Sequence, residues 1–242
     1  MKMLKYSNAL KYKKIIHFNQ NQISIDYDKP FTKSIMDRGT IIFCDNKQDS
    51  LLEKQCKNSN LKYVKLGFGI ENWLNTYKPF LFLEWLNNNL STNNILLFLD
   101  AYDVILPQNI DDLINSYIEK DDDKTCFNVE YKSMESNIDG YDFDSINKYE
   151  ESLCENKKLY LNAGACIGTS LTMFKTYTNI TKLIKKLFPD KFENHSYKIT
   201  EISKSIRQEQ PIVKLSNYLN KDNTIDYNNN YFIRMRKGSI II

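Results

Sequence analysis

The segment Asn94-Ile95-Leu96-Leu97-Phe98-Leu99-Asp100 constrains this chain most. A strand with one wet face alternates apolar and polar residues. A continuous apolar run of this length instead predicts a strand covered on both faces, as in a parallel sheet packed between helices. Similar runs occur at Gly39–Asp45, Leu61–Leu66 and Lys124–Glu130. Between them lie segments that predict helices at Ser50–Asn58, Tyr77–Leu90 and Ile110–Lys120. In the second of these, Pro79 falls in the first turn, where its missing N–H costs nothing. In the third, Ile110, Leu113, Ile114, Tyr117 and Ile118 share one face. Asp111 and Asp112 sit in its first turn, where the helix dipole favours acids. Strands alternating with helices predict an α/β fold: a single domain with a mostly parallel central sheet flanked by helices.

That domain is expected over residues 39–242, behind a polar arm or small subelement at 1–38. The polar, acidic stretch 131–157 is expected to be a long loop covering a site. Leu159–Gly168 is apolar with small residues at its centre, and Leu171–Leu187 predicts a helix. A further helical region at Ile199–Leu219 is interrupted by Gln210-Pro211, and short strands are expected at Thr224–Tyr227 and Tyr231–Met235.

Charge and cysteine content exclude several function classes. Lys and Arg number 33 against 30 Asp and Glu, a net charge of +3. So weak a field argues against nucleic-acid binding by phosphate neutralisation. The five cysteines form no Cys-x-x-Cys pair and no zinc spacing, so free thiols of a reducing compartment are expected, with one or two disulfides in a secretory lumen as the alternative. The first twenty residues are basic without an apolar core of signal-peptide length, and no apolar run spans a bilayer. These features predict a cytoplasmic chain with no transmembrane segment. His17 and His195 read as surface histidines.

The informative constellation is Asp100-Ala101-Tyr102-Asp103, where the strongest strand stops. In a continuing strand, residues three apart point to opposite faces, so the two carboxylates converge only if the chain turns at Asp100. Ligand sites of open α/β sheets lie at such carboxyl ends. Converging carboxylates suit Mn²⁺ or Mg²⁺, which keep open positions for phosphates. An ion held there would bind a nucleotide diphosphate and stabilise it as it leaves. The alternative is that Asp100 caps a turn and Asp103 is a solvated loop acid.

Two stretches resemble a known family. Leu97-Phe98-Leu99-Asp100-Ala101-Tyr102-Asp103-Val104-Ile105-Leu106 resembles the metal-binding stretch of the glycosyltransferase domain of multifunctional procollagen lysyl hydroxylases. Leu159-Tyr160-Leu161-Asn162-Ala163-Gly164-Ala165-Cys166-Ile167-Gly168 is similar to that family's Leu-Asn-Ser-Gly-Gly-Phe-Ile-Gly segment. Glu71-Asn72-Trp73 resembles its Glu-Glu-Trp, and Lys78 falls near a family lysine. The resemblance implies a GT-A fold, Mn²⁺ (or Mg²⁺) and retaining transfer of a hexose from UDP-glucose or UDP-galactose to a hydroxyl on a protein, a glycan or a lipid-linked sugar. It implies Asp100 and Asp103 as metal ligands. Tyr102 would lie against the uridine, Trp73 would contact the nucleotide, and Lys78 would approach the phosphates. Asn162 would face sugar or acceptor, and Glu209 would lie near the reacting carbon. The chain departs from the family in three places. A run of aspartates is replaced by Arg207-Gln208-Glu209-Gln210, and a Cys-Trp-Pro loop by Glu130-Tyr131-Lys132-Ser133. The family's third ligand, a histidine after a final apolar strand, has no counterpart before Ile242. The alternative function is therefore a catalytically inactive nucleotide-sugar-binding or structural relative.

Each residue also has a plainer reading. Trp73 and Tyr102 are packing residues, and Asn162-Ala163-Gly164 lets backbones approach closely. Lys78 is a surface lysine at a helix start.

Overall fold

The computed structural model describes residues 39–47, 49–71, 73–90, 94–106, 110–120, 124–133, 138–154, 158–189, 208–228, 231–234 and 240–241. The expected arm at 1–38, both histidines and the stretch 190–207 lie outside them.

Strands β1 (Thr40–Cys44), β2 (Tyr63–Leu66) and β3 (Ile95–Asp100) alternate with helices α1 (Leu51–Asn58) and α2 (Tyr77–Asn89). A short β4 (Val104–Ile105), α3 (Ile110–Glu119) and β5 (Cys126–Glu130) follow. Next come α4 (Phe143–Ser152), the long β6 (Tyr160–Thr169), α5 (Ser170–Leu187) and α6 (Gln210–Asn220). The chain finishes with β7 (Thr224–Ile225), β8 (Ile233–Arg234) and β9 (Ile240–Ile241). The main sheet has the order β2-β1-β3-β6-β5-β7, and β4-β9-β8 form a second small sheet. Only β6 runs against its neighbours in the main sheet, pairing antiparallel with both β3 and β5. The molecule is thus α/β, with a mostly parallel mixed sheet flanked by helices.

The apolar runs are continuous because both faces of the sheet are covered. Ile42, Leu96 and Phe98 point into one core, with Phe82 of α2 and Tyr177, Ile180 and Ile184 of α5. Ile41, Phe43, Leu97 and Leu99 point into the other, with Leu52 of α1 and Leu113 and Ile114 of α3. Phe82 and Phe98 stack with ring centroids 4.2 Å apart, and the Tyr177 ring meets both edge-on. Helix α2 is buried almost all round through Leu83, which explains its lack of a polar stripe. Local signals start the other helices. Ser50 Oγ accepts from the Glu53 N–H, Thr169 Oγ1 accepts from the Thr172 N–H, and Pro211 occupies the first turn of α6.

Two expectations need correction. The stretch 131–157 is not one loop, because Asp142 caps α4 and buries Phe143 and Ile146. Polar residues on its outer face hid that stripe. Gln210-Pro211 begins a helix, and the part of the expected helical region at 199–207 lies outside the described residues.

Topology places the site. Strand β1 leads outward to β2, whereas β3 leads away on the other side toward β5. The carboxyl ends of β1 and β3 therefore flank a switch point, where open α/β sheets hold ligands. Cys44 pairs with Asp100 in register, so Asp45 and Asp100 emerge at the same edge. The reversed β6 brings its first half to that edge, with Ala165 beside Leu99. Among the described residues, no helix is long and apolar enough to cross a membrane.

Candidate functional site

Asp100 is the last residue of β3, and residues 101–103 turn before β4. Helix α1 holds this turn from below. The Leu52 N–H donates to the Ala101 carbonyl at 3.0 Å. The Gln55 amide donates to the Val104 carbonyl and accepts from the Leu106 N–H, both at 2.9 Å. Asp103 ends the turn and is exposed.

Lys78, in the first turn of α2, is the centre of the arrangement. Its Nζ lies 2.5 Å from Asp100 Oδ1 and 2.8 Å from Glu209 Oε1. Only 8% of Lys78 is exposed, so the reading as a surface lysine is overturned. Burial pushes its pKa down, but Glu209 and Asp100 outweigh that and hold it above the ordinary lysine range. Glu209 caps the start of α6, and its backbone carbonyl accepts from Ile212 and Val213. Its Oε2 is buried without a hydrogen-bond partner among the described residues.

Glu209 belongs to a clasp of three consecutive side chains. Gln208 Oε1 accepts from Asn75 Nδ2 at 3.0 Å. Gln210 Nε2 donates to Glu130, the last residue of β5. Asn75 also accepts from the Trp73 indole at 3.2 Å. The Glu130 carboxylate faces Asn162 Nδ2 at 3.5 Å. Residues 208–210 thereby tie the loop before α2, the lysine of α2 and the end of β5 to one helix start.

Asn162 reaches the site through β6. Its Oδ1 accepts from the Gly164 N–H at 2.8 Å. A Cβ on Gly164 would lie 2.7 Å from Asp100 Oδ2 and 2.9 Å from Asn162 Oδ1. Glycine is thus the residue that lets both oxygens border one small space. The pairing of β5 with β6 shifts register between Phe127 and Asn128, an irregularity of the kind that re-aims side chains beside sites.

Tyr102 takes a different direction. It is 56% exposed, and its hydroxyl donates to Asp45 Oδ1 at 2.8 Å. Burial of the hydroxyl end and that bond push the phenol up to about 12. The buried Asp45 also accepts from the Lys47 N–H and lies 3.3 Å from Lys65 Nζ. The ring of Trp73 packs over Gly67, whose φ of +82° and lack of a Cβ that contact requires. Trp73 also meets Tyr77 edge-on at 6.1 Å and is half-buried.

The structure therefore joins Asp100, Lys78 and Glu209 directly and sets Asn162 beside them. Tyr102 stands on the Asp45 side, and Trp73 connects through Asn75 and Gln208. Sequence reasoning missed Asp45, Glu130 and Gln210. The available signal was common to three strands, since Asp45, Asp100 and Glu130 each end an apolar run at the same edge. Cys44, below Lys78, is held well above the ordinary thiol range by burial.

The donors here are hard oxygens: Asp100 Oδ2, the exposed Asp103 and Asn162 Oδ1. Among the described residues, no group of three or more His, Cys, Asp and Glu gathers to hold a metal. Asp100 Oδ2 and Asn162 Oδ1, which flank Gly164, are oxygens of the kind Mg²⁺ or Mn²⁺ accepts beside water and phosphate, whereas Asp103 is exposed at the end of the turn. No protein-family model matches the chain, and no curated protein matches it in sequence.

Proposed function

We propose that the chain is a metal-dependent glycosyltransferase of GT-A type. It would move a hexose from UDP-glucose or UDP-galactose to a hydroxyl of a protein, glycan or lipid-linked acceptor. The observation that carries this reading is the Lys78 ammonium held between Asp100 and Glu209 at the carboxyl ends of the strands. It draws together residues from positions 78, 100 and 209 that the family resemblance assigns to a single site. The sheet order supports the reading as well, with one reversed strand and a small second sheet starting just after the acid turn.

Asp100 and Asp103 would hold the Mn²⁺ or Mg²⁺, which supplies Lewis-acid stabilisation to the departing diphosphate. Lys78, 2.5 Å from Asp100, can pair with a phosphate oxygen. Asn162, fixed by Gly164 and Glu130, orients sugar hydroxyls. The buried Glu209 carboxylate favours positive charge developing on the anomeric carbon. Tyr102, pinned by Asp45, presents an exposed ring against which a uracil can stack. Trp73, held by its indole bond to Asn75, would contact the nucleotide from the loop before α2.

UDP release from each donor, with and without Mn²⁺, tests the proposal. Metal-dependent release that Asp100→Asn abolishes supports it. UDP binding without release from either donor, across a panel of hydroxyl acceptors, refutes catalysis and leaves a binding protein.

A further inference from the structure

We propose that Lys78 is the resident cation of the free site: its ammonium competes with the divalent ion for Asp100, and the ion binds tightly only once a nucleotide diphosphate draws the ammonium away. This inference rests on the glycosyltransferase reading and adds to it the order in which the site fills.

The argument starts from charge. Asp100 and Glu209 bring two negative charges to the partly buried edge of the sheet, and Lys78 brings one positive charge. An ammonium 8% exposed cannot shed its partners into water, so it stays where carboxylate oxygens neutralise it. In the free protein those oxygens are Asp100 Oδ1 and Glu209 Oε1. A divalent ion approaching Asp100 meets a carboxylate already half-spent and a positive charge 2.5 Å from it. Repulsion at such distances is strong in a partly buried site. A diphosphate changes the balance, because it offers the ammonium a new anionic partner and leaves Asp100 to the ion.

The geometry supplies a second, independent feature. Glu209 is 7% exposed, yet its Oε2 has no hydrogen-bond partner among the described residues. A buried carboxylate with one oxygen unmet retains capacity for the ammonium as the latter leaves Asp100. Glu209 thus serves as the tether that keeps Lys78 in place while its other contact changes. Gly164 leaves Asp100 Oδ2 uncrowded on the opposite side, so the carboxylate need not turn to accept an ion.

Mn²⁺ titration followed by the free-ion electron paramagnetic resonance signal tests this without reference to turnover. The wild-type chain should bind Mn²⁺ weakly alone and on the order of tenfold more tightly, or better, with saturating UDP. K78M should bind Mn²⁺ alone on the order of tenfold more tightly than wild type, and its gain from UDP should shrink. Asp100→Asn should remove binding in both backgrounds, locating the ion. Equal or weaker Mn²⁺ affinity in K78M overturns the competition while leaving the metal site standing. Should K78M not fold, the wild-type titration decides: Mn²⁺ affinity that UDP does not change overturns the proposal. If the wild type binds no Mn²⁺ even with UDP, the metal-dependent reading falls, and this inference falls with it.

Discussion

Gly164 lies against Asp100 so closely that a single methyl group would come within 2.7 Å of the Asp100 Oδ2 atom. The two residues belong to adjacent antiparallel strands, one ending at the site and the other beginning there. The absence of a side chain on β6 thus sets the room available to the carboxylate on β3.

Gly164→Ala is expected to displace either Asp100 or Asn162, since the methyl group meets an oxygen of each. A crowded change in a packed region costs about 1–3 kcal/mol. Urea denaturation should report a loss in that range with the fold retained. Mn²⁺-dependent UDP release should fall by more than about tenfold, because a displacement of reacting groups is costly.

Asp103→Asn separates chemistry from stability. Asp103 is exposed at the end of a turn, so the fold should be retained, with a change in unfolding free energy of at most about 1 kcal/mol. If Asp103 holds the ion as proposed, its loss should nonetheless lower metal-dependent UDP release by roughly a hundredfold or more. Parallel thermal melts and donor-release assays check both halves.

Tyr102 is expected to titrate abnormally. Its hydroxyl donates to the Asp45 carboxylate, and its pKa is raised to about 12 against about 10 for an unfolded tyrosine. The folded state therefore holds this proton more tightly than the unfolded state. The resulting stabilisation is complete below pH about 10 and disappears as pH rises toward about 12. The ultraviolet difference titration of wild type minus Tyr102→Phe should show one phenol ionising near the upper value. A midpoint near 10 would mean that the Asp45 bond is not made in solution.

Lys214 and Glu150 form a second buried pair, at 3.0 Å, with neither side chain more than 1% exposed. Lys214 also donates to Asn147 and Ser133. Lys214→Met leaves a buried acid without its cation and should cost about 3–5 kcal/mol by urea denaturation. Adding Glu150→Leu should recover most of that loss, since an apolar pair needs no counter-charge.

All five cysteines are buried, and burial pushes Cys56 and Cys166 up to about 12. At pH 8 a disulfide reagent should label none of them in the folded chain and all five in urea. Rapid labelling of any one under native conditions would contradict its burial.

Much of the fold was legible in the residues because its signals are local. A strand covered on both faces needs an unbroken apolar run, and Ile95–Asp100 has one. Ser50, Thr169 and Pro211 mark helix starts through backbone groups a few residues away. Helix α4 escaped because its buried face is narrow and its other residues are polar. The reversal of β6 escaped because an apolar run carries no direction.

The sequence alone determined that strands and helices alternate, that both sheet faces are covered, and that a turn carrying acids follows the strongest strand. Tertiary structure decided which acids receive a cation. Lys78 meets Asp100 and Glu209 across separations of 22 and 131 residues, and no periodicity reaches that far. The physical reason is range. Propensity and capping act within a turn or two of chain, whereas the pairing of buried charges depends on which strand ends the topology sets side by side.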